Sequence, residues 1–96
     1  MNLNLKNKNF VISGSSKGIG LKIAEHLLNE GARVIITGRS KKLLIKEFKK
    51  LLHKYGPNVL YVEGDLKSQS TLKKIKKLIK KKWKKLDGIV ANAGSI

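Results

Sequence analysis

Residues 10–28 read FVISGSSKGIGLKIAEHLL, a short apolar run followed by a glycine-rich turn and then by a helical pattern. Residues 8–13 are predicted to form a largely buried strand, and residues 18–30 are predicted to form a helix. The first turn of a helix presents unpaired backbone N–H groups and the positive end of the helix dipole, and both attract phosphate. The junction between this strand and this helix is therefore a predicted phosphate-binding loop.

The glycines of the loop follow the pattern G-x-x-x-G-x-G. Gly14 suits the tight turn that leaves the strand, Gly18 allows a close approach of backbone to a ligand, and Gly20 lets the helix pack against the sheet. The commonest dinucleotide fingerprint is instead G-x-G-x-x-G, so this loop taken alone also fits a plain turn between a strand and a helix.

Two neighbouring serines and the loop backbone complete the predicted site. Ser15 and Ser16 add hydroxyl groups that either bind phosphate oxygens or close the loop on itself. The backbone amides between residues 13 and 19 are expected to form a cradle for a diphosphate.

The remainder of the chain continues the alternation of strand and helix, with turn residues between the elements. Strands are predicted over residues 33–37, 58–64 and 86–92, and helices over residues 41–54 and 70–85. The resulting order, β-α-β-α-β-α-β, is typical of an α/β fold with a parallel sheet and crossover helices. We therefore interpret residues 1–96 as one domain of the Rossmann type, with a doubly wound parallel sheet.

The third predicted helix is strongly amphipathic. Its apolar side carries Leu72, Ile75, Leu78, Ile79 and Trp83, and lysines cover the other side. A helix of a layered α/β fold needs such a stripe to pack against the sheet. The same pattern also fits a basic helix that lies on an anionic membrane. We favour packing, and expect Trp83 to contact the sheet or a second subunit.

The chain is strongly basic, with 22 Lys and Arg, 6 Asp and Glu, and a formal net charge of +16. Nucleic-acid readers rely on arginine and on aromatic stacking, whereas this chain has two arginines and one tryptophan. We therefore favour solvated lysine-rich helix faces over a specific nucleic-acid site.

Other features of the composition narrow the class of protein. There is no cysteine, which excludes disulfide bonds and thiolate metal sites, and His26 and His53 have no partner at metal-ligand spacing. No apolar run is long enough for a signal peptide or a membrane span, which favours a cytoplasmic protein.

The end of the second predicted strand indicates which dinucleotide the fold would bind. An acidic residue at this place binds the 2′-hydroxyl of NAD and repels the 2′-phosphate of NADP. Here Gly38 stands in place of the acid, and it is followed by Arg39, whose guanidinium matches a phosphate. Lys17, in the glycine loop, offers a second cation. Two cations and no acid favour NADP over NAD, although the same two residues also fit solvated surface cations.

Two further motifs follow the third and fourth predicted strands at the same edge of the sheet. In G-D-L, residues 64–66, the carboxylate of Asp65 offers a hydrogen-bond acceptor to an exocyclic amine such as that of adenine. In A-N-A-G, residues 91–94, small side chains leave room for a flat ring, and Asn92 is placed to brace neighbouring backbone.

The motifs S-G-S-S-K-G-I-G, T-G-R, G-D-L and N-A-G, in this order and spacing, resemble the N-terminal half of a short-chain dehydrogenase/reductase. The resemblance covers essentially the whole chain, with Ser13 where the family usually has threonine. It implies a sheet order of 3-2-1-4 and hydride transfer between NADP(H) and a small carbonyl or alcohol substrate, in a full-length protein that forms a homo-oligomer.

The resemblance also implies which residues contact the cofactor. They are Gly14, Ser16, Lys17, Gly18, Ile19 and Gly20 at the pyrophosphate and ribose, with Ser15 beside them; Arg39 at the 2′-phosphate; Asp65 and Leu66 at the adenine; and Asn92, Ala93 and Gly94 on the adenosine and ribose side.

The catalytic residues of the family, a serine and a Tyr-x-x-x-Lys helix, lie beyond the N-A-G motif and have no counterpart in this sequence. Tyr55 and Tyr61 lack a lysine at the fourth following position and are expected to be structural. In a sheet of order 3-2-1-4-5-6, the fourth strand is internal and pairs with the fifth. Without a fifth strand, its far side would be an open apolar edge. We therefore expect the sequence to be a truncated piece of a longer enzyme, with no catalytic or metal-binding residue assigned. The alternative is a module that binds a dinucleotide, or a polyanion through its lysines, without catalysis.

Overall fold

The computed structural model of the protein describes residues 5–91. The observed elements alternate as the sequence predicts, and they are β1 (Asn9–Ile12), α1 (Gly18–Asn29), β2 (Arg33–Gly38), α2 (Lys41–Tyr55), a 3₁₀ turn (Gly56–Asn58), β3 (Val59–Glu63), α3 (Gln69–Lys82) and β4 (Gly88–Val90).

The four strands form one parallel sheet in the order β3-β2-β1-β4. The predicted α/β class and the predicted strand order 3-2-1-4 are therefore confirmed. In the register of the sheet, Val11 of β1 lies beside Ile35 of β2 on one side and beside Ile89 of β4 on the other. Because all the strands run in one direction, their carboxyl ends and the loops that follow them meet at one edge.

Helices cover both faces of this sheet, which makes it doubly wound. On one face, Ile12, Val34 and Ile36 of the strands are buried in one core with Leu28 of α1 and Leu44 of α2. The opposite face is covered by α3. There the side chains of Val11, Ile35 and Val62 pack against those of Ile75, Ile79 and Trp83. Trp83 was expected to contact either the sheet or a second subunit, and it packs on the sheet.

The third helix differs from its prediction in two respects. Leu72, which the apolar stripe assigns to the buried side, is 38% exposed, and Thr71 is buried in its stead at 3% exposure. Thr71 packs against Gly64, where a Cβ would lie in hard contact with its side chain, so the loop after β3 fixes the first turn of the helix. The helix also ends at Lys82 and not at residue 85, because Lys84 adopts a left-handed backbone conformation with φ 69°.

The fourth strand is shorter than the predicted range 86–92. Asp87 precedes the strand and joins it to β1: its amide donates to the Asn9 carbonyl at 2.8 Å, and its carboxylate accepts from the Asn9 amide at 2.7 Å. The last residue of the predicted range, Asn92, lies outside the described residues. In the part of the chain that the structure describes, no helix is long and apolar enough to cross a bilayer.

Candidate functional site

A cleft of about 480 Å³ opens at the carboxyl edge of the sheet. Three segments line it: the loop between β1 and α1, the end of β2 with the start of α2, and the loop after β3. The predicted cofactor contacts among its lining residues are Gly14, Ser16, Lys17, Gly18, Ile19, Arg39, Asp65 and Leu66. The topology therefore brings three separate sequence motifs together at one opening.

The backbone amides of the glycine loop are divided between two roles. Contrary to the prediction that all amides from residue 13 to residue 19 form the cradle, Ser13 donates to the Val90 carbonyl at 3.0 Å and Ser15 to the Thr37 carbonyl at 2.9 Å. Within residues 5–91, the amides of residues 16–20 donate no hydrogen bond to the protein. The amides of Ser13 and Ser15 thus attach the loop to the sheet, and the predicted cradle is restricted to residues from 16 onward.

Gly18 stands at the centre of this row of amides. It has φ +60°, a conformation that favours glycine, and a Cβ built on it would meet no atom within 4 Å. Helix α1 begins at this residue, and no side chain of the described residues caps its first turn. An anion that enters the cleft can accept hydrogen bonds from these amides without a clash.

The two serines of the loop differ in their contacts. Ser15 is fully buried; its hydroxyl donates to the Ile12 carbonyl at 2.8 Å and accepts from the Thr37 amide at 2.8 Å. It therefore closes the loop onto the sheet, and it does not line the cleft. Ser16 lines the cleft, and its hydroxyl makes no hydrogen bond with any described residue.

Two cations flank the end of β2. Lys17 and Arg39 line the cleft with exposed side chains, and neither forms an ion pair within the described range. Between them, Gly38 ends the strand and accepts a hydrogen bond from the Gly64 amide at 2.8 Å. The mouth of the cleft beside β2 is therefore positively charged, and residue 38 contributes no side chain to it.

The carboxylate of Asp65 makes a structural contact within its own loop. Its Oδ1 accepts a hydrogen bond from the Lys67 amide at 3.0 Å, and its carbonyl accepts from the Ser68 amide at 2.9 Å. These bonds fix a turn before α3 and hold the carboxylate at the wall of the cleft. Asp65 is thus oriented by its own loop.

Six lining residues were absent from the predicted set of cofactor contacts: Ser13, Thr37, Gly38, Ser40, Leu43 and Gly64. Thr37 and Gly64 belong to the T-G-R and G-D-L motifs, so their place at the ends of β2 and β3 is the signal that indicates them. Ser40 precedes α2 and caps it, because its hydroxyl accepts from the Leu43 amide at 3.4 Å. Leu43 follows one turn into α2, and no sequence signal separates it from the core leucines nearby.

The remaining candidate residues lie elsewhere. Gly20 is buried in α1 and does not line the cleft, while Asn92, Ala93 and Gly94 lie outside the described residues. Both tyrosines have structural contacts: the hydroxyl of Tyr55 lies 2.6 Å from Asn29 Oδ1, and the ring of Tyr61 lies 4.6 Å from that of Phe48. Among residues 5–91, no three His, Cys, Asp or Glu side chains are grouped as metal ligands would be.

Comparison with known proteins extends these observations. The family model described as short chain dehydrogenase matches residues 8–96. A 3-oxoacyl-[acyl-carrier-protein] reductase from Aquifex aeolicus is 35% identical over 94 residues, which cover 98% of this chain and 38% of that protein. A short-chain dehydrogenase/reductase from Diaporthe leptostromiformis is 39% identical over 84 residues, which cover 88% of this chain and 28% of the relative.

A solved structure shows the same arrangement. The L-sorbose reductase from Gluconobacter frateurii, complexed with NADPH and L-sorbose, superposes with a TM-score of 0.88 at 33% identity. The match covers 98% of this chain and 36% of that structure. The chain therefore spans only about a third of the length of the proteins it matches.

Proposed function

The chain belongs to the short-chain dehydrogenase family, and from this premise we propose that it is the cofactor-binding portion of an oxidoreductase that prefers NADP. The proposed reaction is hydride transfer between NADP(H) and a carbonyl/alcohol pair of a small substrate. When bound, the nicotinamide ring supplies or receives the hydride. The single observation that carries the proposal is the positively charged mouth of the cleft beside β2, where Lys17 and Arg39 flank a residue without a side chain.

The glycine loop provides a place for the diphosphate of such a cofactor. The amides of residues 16–19, which have no partner among the described residues, can donate to phosphate oxygens at the positive end of the α1 dipole. The Ser16 hydroxyl faces the same space and adds one further donor. These groups fit a diphosphate because they are donors, and because the backbone at Gly18 leaves the approach open.

The end of β2 provides the preference for NADP. A 2′-phosphate at this position would lie near the guanidinium of Arg39 and the ammonium of Lys17, and charge-assisted hydrogen bonds to both would stabilise it. The 2′-hydroxyl of NAD would find no carboxylate on residue 38. A related sorbose reductase of this fold is complexed with NADPH, which supports the same choice.

The test is the affinity for each dinucleotide, measured by titration calorimetry at fixed ionic strength. We expect the protein to bind NADPH more tightly than NADH. Arg39→Ala should weaken NADPH binding about tenfold, the cost of one exposed charged hydrogen bond, and leave NADH binding unchanged. Lys54→Ala removes the same charge from the last turn of α2, away from the cleft, and should change neither affinity.

A second variant tests the diphosphate site separately from the preference. Gly18→Ala places a methyl group in the open space before α1 and forces a non-glycine residue to φ +60°. Both dinucleotides should then bind more weakly by a similar factor. The proposal is wrong if the unmodified protein binds neither dinucleotide, or if Arg39→Ala weakens NADH and NADPH binding equally.

A further inference from the structure

Gly38 and Ser16 are in closer contact than their positions in the sequence suggest. Gly38 is the buried last residue of β2, and Ser16 crosses over it from the glycine loop. A Cβ added to Gly38 would lie 2.6 Å from Ser16 Oγ and 3.1 Å from Ser16 Cβ. Ordinary van der Waals contacts of carbon are at about 3.5–4.0 Å. A side chain at residue 38 therefore requires Ser16 to shift from its place.

Ser16 cannot easily retreat, because its neighbour fixes the backbone. The Ser15 amide donates to the Thr37 carbonyl at 2.9 Å, and the Ser15 hydroxyl bonds both the Thr37 amide and the Ile12 carbonyl at 2.8 Å. Rotation about χ1 would move the Ser16 hydroxyl but not its Cβ, and at 3.1 Å from the added Cβ the Ser16 Cβ must still give by a few tenths of an ångström. Relief of the contact requires either loss of the Ser16 side chain or movement of the loop.

The contact bears on cofactor choice because residue 38 is the place where a carboxylate would bind the ribose 2′-hydroxyl of NAD. We infer that Ser16 and Gly38 form a steric pair in which Ser16 bars an acidic side chain from residue 38 and so sets the dinucleotide class together with Arg39. The effect on cofactor choice rests on the proposed function, whereas the steric contact between Ser16 and residue 38 is independent of it. Ser16 is thus a specificity-determining residue in addition to a donor that faces the cleft.

The steric part is tested on the protein without cofactor, by a thermal double-mutant cycle of Gly38→Ala and Ser16→Gly. Gly38→Ala alone should lower Tm by about 5 °C or more, as expected for overpacking in a small domain. In the Ser16→Gly background the same change should lower Tm by less than half as much, because both contacting atoms are gone.

Gly88→Ala provides the matched control for this cycle. Gly88 also lies in a strand, and a Cβ there would be 3.1 Å from the Phe10 ring, away from Ser16. Its effect on Tm should be the same with and without Ser16→Gly. The steric pair does not exist if the Tm shifts of Gly38→Ala and Ser16→Gly simply add.

The functional part is tested by the affinity for NADH. Gly38→Asp alone should gain no NADH affinity, because the new side chain displaces the loop that carries the amides. Ser16→Gly with Gly38→Asp should bind NADH about tenfold more tightly than Ser16→Gly alone, the gain expected from one hydrogen bond to a carboxylate.

The outcomes separate the two proposals. If the unmodified protein binds no dinucleotide, the proposed function fails, and the thermal cycle still decides whether the steric pair exists. If the thermal cycle shows coupling but Gly38→Asp alone binds NADH as tightly as the double variant, Ser16 does not determine specificity and the inference is overturned.

Discussion

Asp87 links two strands at the end of the sheet opposite the cleft. Its carboxylate accepts the Asn9 amide at 2.7 Å, and the buried Asn9 side chain in turn donates to the Lys85 carbonyl and accepts from Arg33 Nε. The hydrogen bond from the Asn9 amide lowers the pKa of Asp87 below its ordinary value of 3.8. Partial desolvation opposes this shift, and the positive charges of Lys85 and Lys8 reinforce it.

This lowered pKa predicts how stability depends on pH. Because the folded state holds the carboxylate charged, the stabilisation by Asp87 is fully present above the unfolded pKa and is lost as the pH falls through the lower, folded pKa. Asp87→Asn should therefore reduce Tm at pH 6–7, and the difference between the two proteins should shrink as the pH falls below about 4. Thermal unfolding of both proteins from pH 2.5 to 7 measures this.

Glu63→Gln is the control, since it removes an exposed carboxylate that makes no hydrogen bond with the described residues. It corrects for the general cost of removing a negative charge from a basic protein. A constant Tm difference between Asp87→Asn and this control at all pH values would contradict the role of the Asn9 hydrogen bond.

For individual residues, the sequence predicts which ones reach the cleft better than it predicts what each of them contacts. The glycines, Arg39 and Asp65 are found at the cleft because their motifs follow parallel strands, and such strands end at one edge. Ser15 and Ser16 are identical in the sequence, however, and only the packing of the loop on Thr37 assigns one hydroxyl to the backbone and the other to the cleft.

Among the elements, α3 ends in an unusual way. The amides of Trp83 and Lys84 both donate to the Ile79 carbonyl, at 2.8 and 2.6 Å, and Lys84 then turns the chain with φ 69°. Glycine is the residue that takes this conformation at a helix end without strain. A lysine here carries a cost that comes from its Cβ.

Lys84→Gly should therefore stabilise the protein, by about 0.5–1 kcal/mol, or a rise in Tm of about 2–8 °C. The matched control is Lys80→Gly, which removes the same charge from an exposed position inside the helix. It should destabilise by about 1 kcal/mol, because glycine is a poor helix former. Thermal or urea unfolding of the two variants checks the opposite signs, and a loss of stability in Lys84→Gly would contradict the strain.

The interiors of the elements were predictable, whereas some of their ends were not. The β-branched run of β2 and the stripe of α2 follow periodicities that burial imposes, and the observed bounds agree within one residue. The end of α3 depends on the hydrogen bonds that the Ile79 carbonyl accepts from the residues after the helix. The start of β4 depends on the hydrogen bonds between Asp87 and Asn9, which are distant in the sequence. No local pattern in residues 83–87 records those bonds.

For the whole molecule, charge is the dominant feature. Residues 66–86 contain ten lysines and no acid, within a chain of net charge +16. The Cα atoms have a radius of gyration of 12.1 Å. The Debye length is about 30 Å at 0.01 M salt and about 3 Å at 1 M, so at low salt every lysine repels the others across the whole molecule. Such self-repulsion destabilises the compact state.

We therefore expect Tm to rise by several degrees as NaCl increases from 0.01 to 0.5 M. Lys77→Glu should raise Tm at low salt, because it relieves repulsion and places a carboxylate one turn from Lys73 and from Lys81 on the exposed face of α3. Each such pair contributes about 0.2–0.5 kcal/mol. The gain should disappear near 1 M NaCl, where exposed pairs are screened.

Lys77→Gln separates the two contributions, since it removes the repulsion without adding an attraction. At low salt, Lys77→Gln should raise Tm by less than Lys77→Glu does. As NaCl increases, this gain in Tm should decrease less steeply than the gain of Lys77→Glu. If Tm is independent of NaCl, or if Lys77→Glu lowers Tm at 0.01 M, the lysines of α3 do not repel one another strongly enough to affect folding. The lysine face would then have no energetic cost for the fold, and its charge would act only on what approaches it from solution.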